Sequence, residues 1–393
     1  MGVHQAIVIG GGIGGLAAAL ALHRQGVPVT VHERAASLEP VGAGLALAPN
    51  ALRALDRLGV GERLRALAAP HPAVGLRHPS GRWLARTDTA TFEACFGDTI
   101  AAVARADVIA ALVDALPGGT VRTDSPAALV APGSATEPAV VRTPDGERSA
   151  ALVVAADGIR SATRGLLFPQ HPGPRYSGFS TWRTVVSPAR RPEAVGEIWG
   201  RGRLAGVVPL ADGRVYVYGA ALAPAGARAA DGDEKAELLR RYGTWCAPVP
   251  ELLALAEPER VLRHDVWELA DPLPAYHHGR VALLGDAAHA MCPFQGQGAC
   301  QAIEDAVVLA APLTPSADPA AALPAYTAAR LPRATAVVTG SRRIGDLVAL
   351  RTPAATFLRT TALTLAGLLP ARTLLGRSAP TYDWQPPALG APA

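Results

Sequence analysis

The sequence predicts an α/β fold. A parallel-sheet domain is interrupted by an antiparallel sheet and followed by helices. Three observations carry this. Residues His4 to Arg34 read as strand, glycine-rich turn, helix and strand. From Tyr176 to about Trp267 strand patterns dominate, with one helix among them. From Pro319 to Leu369 the pattern is again helical.

The N-terminal unit is the most informative. Ala6 to Ile9 is an apolar, β-branched run, as in a buried strand. Gly10, Gly12 and Gly15 follow in the spacing G-x-G-x-x-G, then an Ala/Leu-rich helix to about Gln25, stopped by Gly26. A second strand, Val27 to His32, ends at Glu33 and Arg34. This is a Rossmann-like βαβ unit with its acid about twenty residues after the glycines. Gly10 allows the turn out of the strand, Gly12 lets a pyrophosphate approach the backbone, and Gly15 lets helix and sheet pack closely. The helix start offers free N–H groups to phosphate. Glu33 is expected to take ribose hydroxyls. Ile13, Gly14 and Arg34 are grouped with these residues as cofactor-binding candidates. The fingerprint alone does not separate NAD from FAD.

In the chain that follows, Gly42 and Gly44 mark a turn, and Asn50 is expected to cap a helix from Ala51 to about Leu58. Residues from about Ala73 to Phe96 read as short strands and turns. Thr99 to Leu116 reads as a helix with Arg105 near its start. Strands are expected at Thr120 to Thr123, Ala139 to Thr143 and Ala151 to Ala156, with Pro144 to Glu147 turning between the last two. The last of them ends at Asp157-Gly158, and Ser161 and Arg164 open a helix. In the β region, Leu210 to Arg214 is a hairpin turn and Lys235 to Trp245 a helix. Gly279 to Leu284 is a buried strand running into Gly285-Asp286-Ala287-Ala288-His289. A Pro/Gly loop, Met291 to Gly298, then leads to a helix from Ala299 to Leu309. Helices from Pro319 to about Leu350 and Thr356 to Leu369 precede a Pro-rich tail, expected to pack as an irregular strap. Residues 1–72, 97–172 and 271–340 are assigned to a discontinuous dinucleotide domain. Residues 73–96 and 173–270 form a sheet domain for the substrate, and 341–393 the C-terminal helices and tail.

Composition narrows the function. A chain of 393 residues with 49% hydrophobic content supplies a sizeable core. A net charge of +4 with scattered basic residues argues against nucleic acid as a partner. Cys95, Cys246, Cys292 and Cys300 show no metal-binding spacing, so no metal is expected and free thiols in the cytoplasm are. The apolar stretch from Thr360 to Leu369 is too short to span a bilayer, so no stable membrane insertion is expected.

Three separated motifs then fall into line: G-x-G-x-x-G at Gly10 to Gly15, DGxxSxxR at Asp157 to Arg164, and GDAAH followed by PxxGQG at Gly285 to Gly298, extended by Glu304-Asp305-Ala306. Together they make the chain similar over essentially its whole length to the single-component FAD-dependent monooxygenases, the group of para-hydroxybenzoate hydroxylase. The resemblance implies a Rossmann-like FAD-binding domain with FAD resident and NADH or NADPH as a transient co-substrate, since no second G-x-G-x-x-G is present. It implies that Arg105 reaches back to FAD, that Asp286 bonds the ribityl chain, and that Gly44 lies on a loop over the cofactor's middle. Pro293, Gly296, Gly298 and Ala299 would face the isoalloxazine ring, where backbone N–H groups stabilise negative charge. Asp157 and Gly158 are associated with both cofactors, with Arg164 as their partner arginine.

The implied activity is oxygen transfer from dioxygen, through a flavin hydroperoxide, to a small, aromatic or polycyclic molecule. Strand alternation offers Trp182, Arg183, Trp199, Tyr216 and Tyr218 for the substrate pocket, with Phe294 beside the flavin loop. Adjacent Trp182 and Arg183 point to opposite faces, so one of them at most faces the pocket. No catalytic base is evident, because Leu204 lies where benzoate hydroxylases often place a histidine. Two other readings stay open: a flavin-dependent dehydrogenase or reductase, and a non-catalytic protein binding FAD and a ligand.

Overall fold

The computed structural model describes residues 2–3, 5–38, 44–69, 73–190, 192 and 195–390. Its first sheet has six strands in the order His277–His278, Val281–Leu283, Leu152–Ala155, Ala6–Ile9, Val29–His32 and Val121–Arg122. All neighbours are parallel except the first pair. The central runs, AIVI and LVVA, are buried along their whole length, as strands covered on both faces must be. Helices Ile13–Arg24 and Gly298–Ala310 pack against each other beside this sheet. Glycines on the first helix make its packing close: a Cβ on Gly14 would lie 3.1 Å from Ala302 Cβ on the second helix, and one on Gly15 2.0 Å from the Gly10 carbonyl oxygen at the end of strand Ala6–Ile9.

The second sheet has seven strands: Leu262–Leu269, Pro174–Val186, Val215–Leu222, Arg203–Pro209, Val195–Trp199, Ala73–Arg77 and Trp83–Asp88. It is mixed rather than wholly antiparallel. Val195–Trp199 runs parallel to Ala73–Arg77, because that hairpin enters from a distant part of the chain. Strand alternation gives the sheet two faces. Trp182, Val186, Ile198, Val207 and Val217 face a core shared with helices Glu234–Tyr242 and Val249–Ala254. Thr181, Arg183, Glu197, Trp199, Tyr216 and Tyr218 face the other way, into a cleft toward the first sheet.

Several elements differ from expectation. Ala101–Ala104 is a strand pairing with Gly44–Leu47, and the helix begins only at Arg105; its alanines carried no strand signal. Thr89–Phe96 is a helix capped by Asp88. Strands Ala128–Ala131 and Gly146–Ala150 flank Ala139–Thr143, so the Pro144 turn leads to an unforeseen strand. Asn50 is not a cap: Pro49 starts that helix and the Asn50 side chain is buried. Gly42 lies outside the described residues. Helix Pro319–Ala349 continues through Pro324 and Pro332. Among the described residues, no helix is long and apolar enough to cross a membrane.

Candidate active site

The cleft between the two sheets has a volume of about 820 Å³. Gly12 to Gly15 stand at one end and the face of the seven-stranded sheet at the other. Gly285, Asp286 and the loop from Pro293 to Ala299 form its side, with Gly44, Arg105 and Gly158 on its walls.

At the glycine end, Gly12 is the N-cap of the twelve-residue helix, and no side chain caps that helix. A Cβ at Gly12 would meet nothing within 4 Å, so the space over the loop is open. The uncapped N–H groups and the dipole make this an anion site. Glu33 Oε2 accepts from the Gly11 N–H at 2.6 Å and Oε1 from the Ala35 N–H at 2.9 Å, which braces the loop. Gly10, Glu33, Arg34, Asp157 and Arg164 do not line the cleft. Arg34 is exposed. Asp157 Oδ2 accepts from the Thr163 N–H at 3.1 Å, while its buried Oδ1 has no partner among the described residues. Arg164 donates to the carbonyls of Ile159, at 2.6 Å, and Ala287, at 3.1 Å. That clasps the Asp157 turn to the Asp286 segment; the arginine acts on the cleft through its walls.

Arg105 is half-buried in the cleft, and its side chain makes no hydrogen bond among the described residues. Burial pulls its guanidinium below the usual range, opposed by the charge of Asp286. Asp286 is open to the cleft, yet the protein around it raises its carboxyl, against the pull of His289, Arg105 and Arg164. Gly296 and Gly298 have no neighbour within 4 Å of a Cβ, and the thirteen-residue helix Gly298–Ala310 starts at the cleft without a side-chain cap. An open glycine, two uncapped helix starts, an uncommitted arginine and an acceptor carboxylate together suit FAD. Its diphosphate carries charge and its ribityl chain offers hydroxyls.

A buried polar network holds this side of the cleft in place. Asp305 Oδ2 accepts from the Gly285 N–H at 2.9 Å and pairs with His289 Nε2 at 2.6 Å. Arg330 donates to Asp305 and Glu304, and Arg333 donates twice to Glu304. Asn50 donates to Glu304 at 2.6 Å and to Gln297 at 3.0 Å, tying the loop to this cluster. Its carboxylates are fully engaged, while Asn50 Oδ1, His289 Nδ1 and Gln297 Nε2 find no partner among the described residues. Burial pushes the thiol of Cys292, beside the loop, up to about 12, which disfavours the thiolate.

On the sheet, Arg183 faces the cleft and Trp182 does not. Trp182 is a correction to the pocket candidates. Its indole donates to Glu234 at 2.7 Å beneath the stacked guanidinium of Arg241, because its register position points to the opposite core. Tyr216, Tyr218, Trp199 and Phe294 line the cleft, Phe294 edge-on to Phe179 at 4.9 Å between centroids. The residue that sequence reasoning missed is Glu197. It lines the cleft, and its carboxylate accepts from Trp199 Nε1 and from the Tyr218 hydroxyl, each at 2.8 Å. Its signal was the alternation of Glu197 with Trp199 on one short strand. Burial raises its pKa, and the two donors hold it back.

A family model described as an FAD binding domain matches residues 4–341. The chain is 37% identical over 352 residues to an aurachin C monooxygenase/isomerase of Stigmatella aurantiaca, covering 87% of this chain and 88% of that protein. It is 32% identical over 359 residues to an FAD-dependent urate hydroxylase of Klebsiella pneumoniae, covering 87% and 90%. The crystal structure of Klebsiella pneumoniae HpxO complexed with FAD and uric acid superposes with a TM-score of 0.87 at 29% identity, covering 96% of each chain.

Proposed function

This chain belongs to the FAD-binding-domain family of FAD-dependent aromatic monooxygenases, and from that premise we propose that it uses NADH or NADPH and dioxygen to oxygenate a small heteroaromatic or polycyclic substrate. It is an oxidoreductase with FAD as its cofactor, acting on small aromatic molecules. Within the proposal, the substrate lies between the sheet face of Arg183, Glu197, Tyr216 and Tyr218 and the loop from Pro293 to Gly298. The observation that carries it is one continuous cleft with an anion-receptive glycine loop at one end and a mixed polar and aromatic floor at the other. The uric acid in HpxO and the urate hydroxylase activity named for a relative support a heteroaromatic ligand.

Bound FAD supplies the hydride acceptance and the oxygen transfer. The protein supplies the rest. Gly12 and the first helix receive the diphosphate. Arg105 adds a cation and Asp286 an acceptor for hydroxyls. The start of helix Gly298–Ala310 presents N–H groups to negative charge on the flavin ring. The network of Asp305, Glu304 and Arg330 fixes the loop that presents them. The aromatic floor excludes water and orients the substrate.

The test is the absorbance spectrum of the purified protein, followed by NADH, NADPH and oxygen consumption with phenols, fused-ring aromatics and purines. A flavin spectrum, substrate-stimulated consumption of both and an oxygenated product are expected. Cofactor oxidation that yields hydrogen peroxide alone with every substrate would count against this reading.

A further inference from the structure

The cleft face of the seven-stranded sheet carries a row of registered positions across four strands. Arg183 pairs with Tyr218, Tyr218 with Gly206, and Gly206 with Glu197. Paired positions point to the same face. Gly206 is what makes the row continuous. A Cβ there would lie 2.1 Å from the Tyr218 ring, so only glycine lets that ring lie across the strand to reach Glu197. The row has a cationic end and a carboxylate end. Arg183 makes no hydrogen bond from its side chain among the described residues, and Glu197 makes no ion pair among them.

Resting on the function proposed above, we propose that Glu197 recognises a hydrogen-bond donor on the substrate, a phenolic O–H or a ring N–H, and takes its proton. Tyr218 is its positioning partner, and Arg183 receives a carbonyl or anionic oxygen at the opposite edge. The substrate class is then a hydroxylated or N–H-bearing fused-ring heteroaromatic. The two ends lie three inter-strand steps apart, about 14 Å at the backbone, a span suited to fused rings more than to a single ring.

The physical case is one of capacity. A carboxylate has about four acceptor sites, and Trp199 and Tyr218 use one on each oxygen. The remaining sites are available to the cleft that Glu197 lines. Glu197 is half-buried with no paired cation among the described residues, so a ligand that displaces water from it makes the ionised form costly, and the protein around it already raises its pKa. Proton uptake removes that cost. In the step, the substrate O–H or N–H bond breaks and its electron pair stays on the ring system. The proton forms an O–H bond on Glu197, and nothing is oxidised or reduced. The electron-rich anion left behind is the better acceptor of the oxygen atom that the monooxygenase reaction supplies. The alternative is that Glu197 only locks Trp199 and Tyr218 in place.

The holoenzyme is titrated, by the change in its bound-FAD absorbance, with 1-naphthol, 4-hydroxyquinoline and uric acid. Each is compared with its O-methyl or fully N-methylated counterpart. In the wild type, at least one parent should bind tenfold or more tightly than its methylated counterpart, with the absorption band of its ionised form visible when bound. In Glu197→Gln, which accepts a hydrogen bond but takes no proton, the ratio should fall to about twofold and the ionised band should vanish. Failure of every parent to outbind its counterpart, or a ratio and band unchanged in Glu197→Gln, would overturn the proposal. If Glu197→Gln holds no FAD, Tyr218→Phe carries the test. It removes the O–H from one carboxylate oxygen, so the bound probe's ionised fraction should change, and an unchanged fraction overturns the proposal. A wild type that takes up no FAD defeats the monooxygenase reading itself. One that holds FAD and is reduced by NADH or NADPH, but treats parent and methylated probes alike, defeats only the role of Glu197.

Discussion

Arg330 Nε donates to Asp305 Oδ1 at 2.6 Å, and both side chains are buried. Arg330 also donates to Glu304, so one guanidinium joins two buried carboxylates. Removing it leaves both carboxylates short of a cation, with Arg333 reaching only Glu304. Arg330→Met should therefore destabilise the chain by about 3–5 kcal/mol, read from urea unfolding of the FAD-free protein. A loss under 1 kcal/mol would mean that the network relaxes without it.

Asp305 sets a pH dependence with a definite sign. Burial alone would raise its carboxyl. The charges of His289 and Arg330, and the bonds from His289 and the Gly285 N–H, outweigh burial and bring it from an ordinary 3.8 to about 2. A folded-state pKa below the unfolded value stabilises the fold at pH above the unfolded value. That stability is lost as pH falls from near 4 through about 2, and amounts to about 2 kcal/mol. Asp305→Asn should be less stable than wild type at pH 6, with the gap narrowing between pH 4 and pH 2. A constant gap over that range would place the stabilisation elsewhere.

Gly12 and Gly15 separate cofactor binding from folding. A Cβ at Gly12 meets nothing within 4 Å among the described residues, whereas one at Gly15 strikes the Gly10 carbonyl. Gly12→Val should leave the melting temperature of the FAD-free protein within a degree or two while weakening FAD retention at least tenfold. Gly15→Val should lower that melting temperature by several degrees. Equal FAD retention in Gly12→Val and wild type would show that the diphosphate does not pass over this position.

The parts legible in the sequence were those whose chemistry is local. A glycine fingerprint between a strand and a helix needs no distant partner to be recognised, and strands Ala6–Ile9 and Ala139–Thr143 fall at their expected bounds. Ala101–Ala104 was not legible, because alanine favours helix and its strand exists only through pairing with Gly44–Leu47. Asn50 looked like a cap because its neighbours read as a helix start. Its partners Gln297 and Glu304 lie some 250 residues away and left no local trace. Glu197 was missed for a different reason: Trp199 stands only two residues away, but Tyr218 reaches the carboxylate from another strand, across Gly206. A single glutamate on a short strand is ordinary until Gly206 opens the path for Tyr218.

Trp182 and Arg183, adjacent on one strand, should separate stability from ligand binding. Trp182 packs into the core beneath helix Glu234–Tyr242, while Arg183 faces the cleft. Trp182→Ala should cost about 3–5 kcal/mol of stability and leave little direct mark on the affinity for an anionic aromatic probe. Arg183→Ala should be nearly neutral in urea unfolding, since its side chain has no hydrogen-bond partner to lose among the described residues. It should weaken the binding of such a probe tenfold or more, as expected when a charge-assisted contact is removed. Spectral titration of the FAD-loaded protein with naphthoate measures the affinity, and urea unfolding measures the stability. If Arg183→Ala binds naphthoate as the wild type does, the cationic end of the row is not where an anionic ligand sits. The substrate would then be held by the aromatic floor and the carboxylate alone.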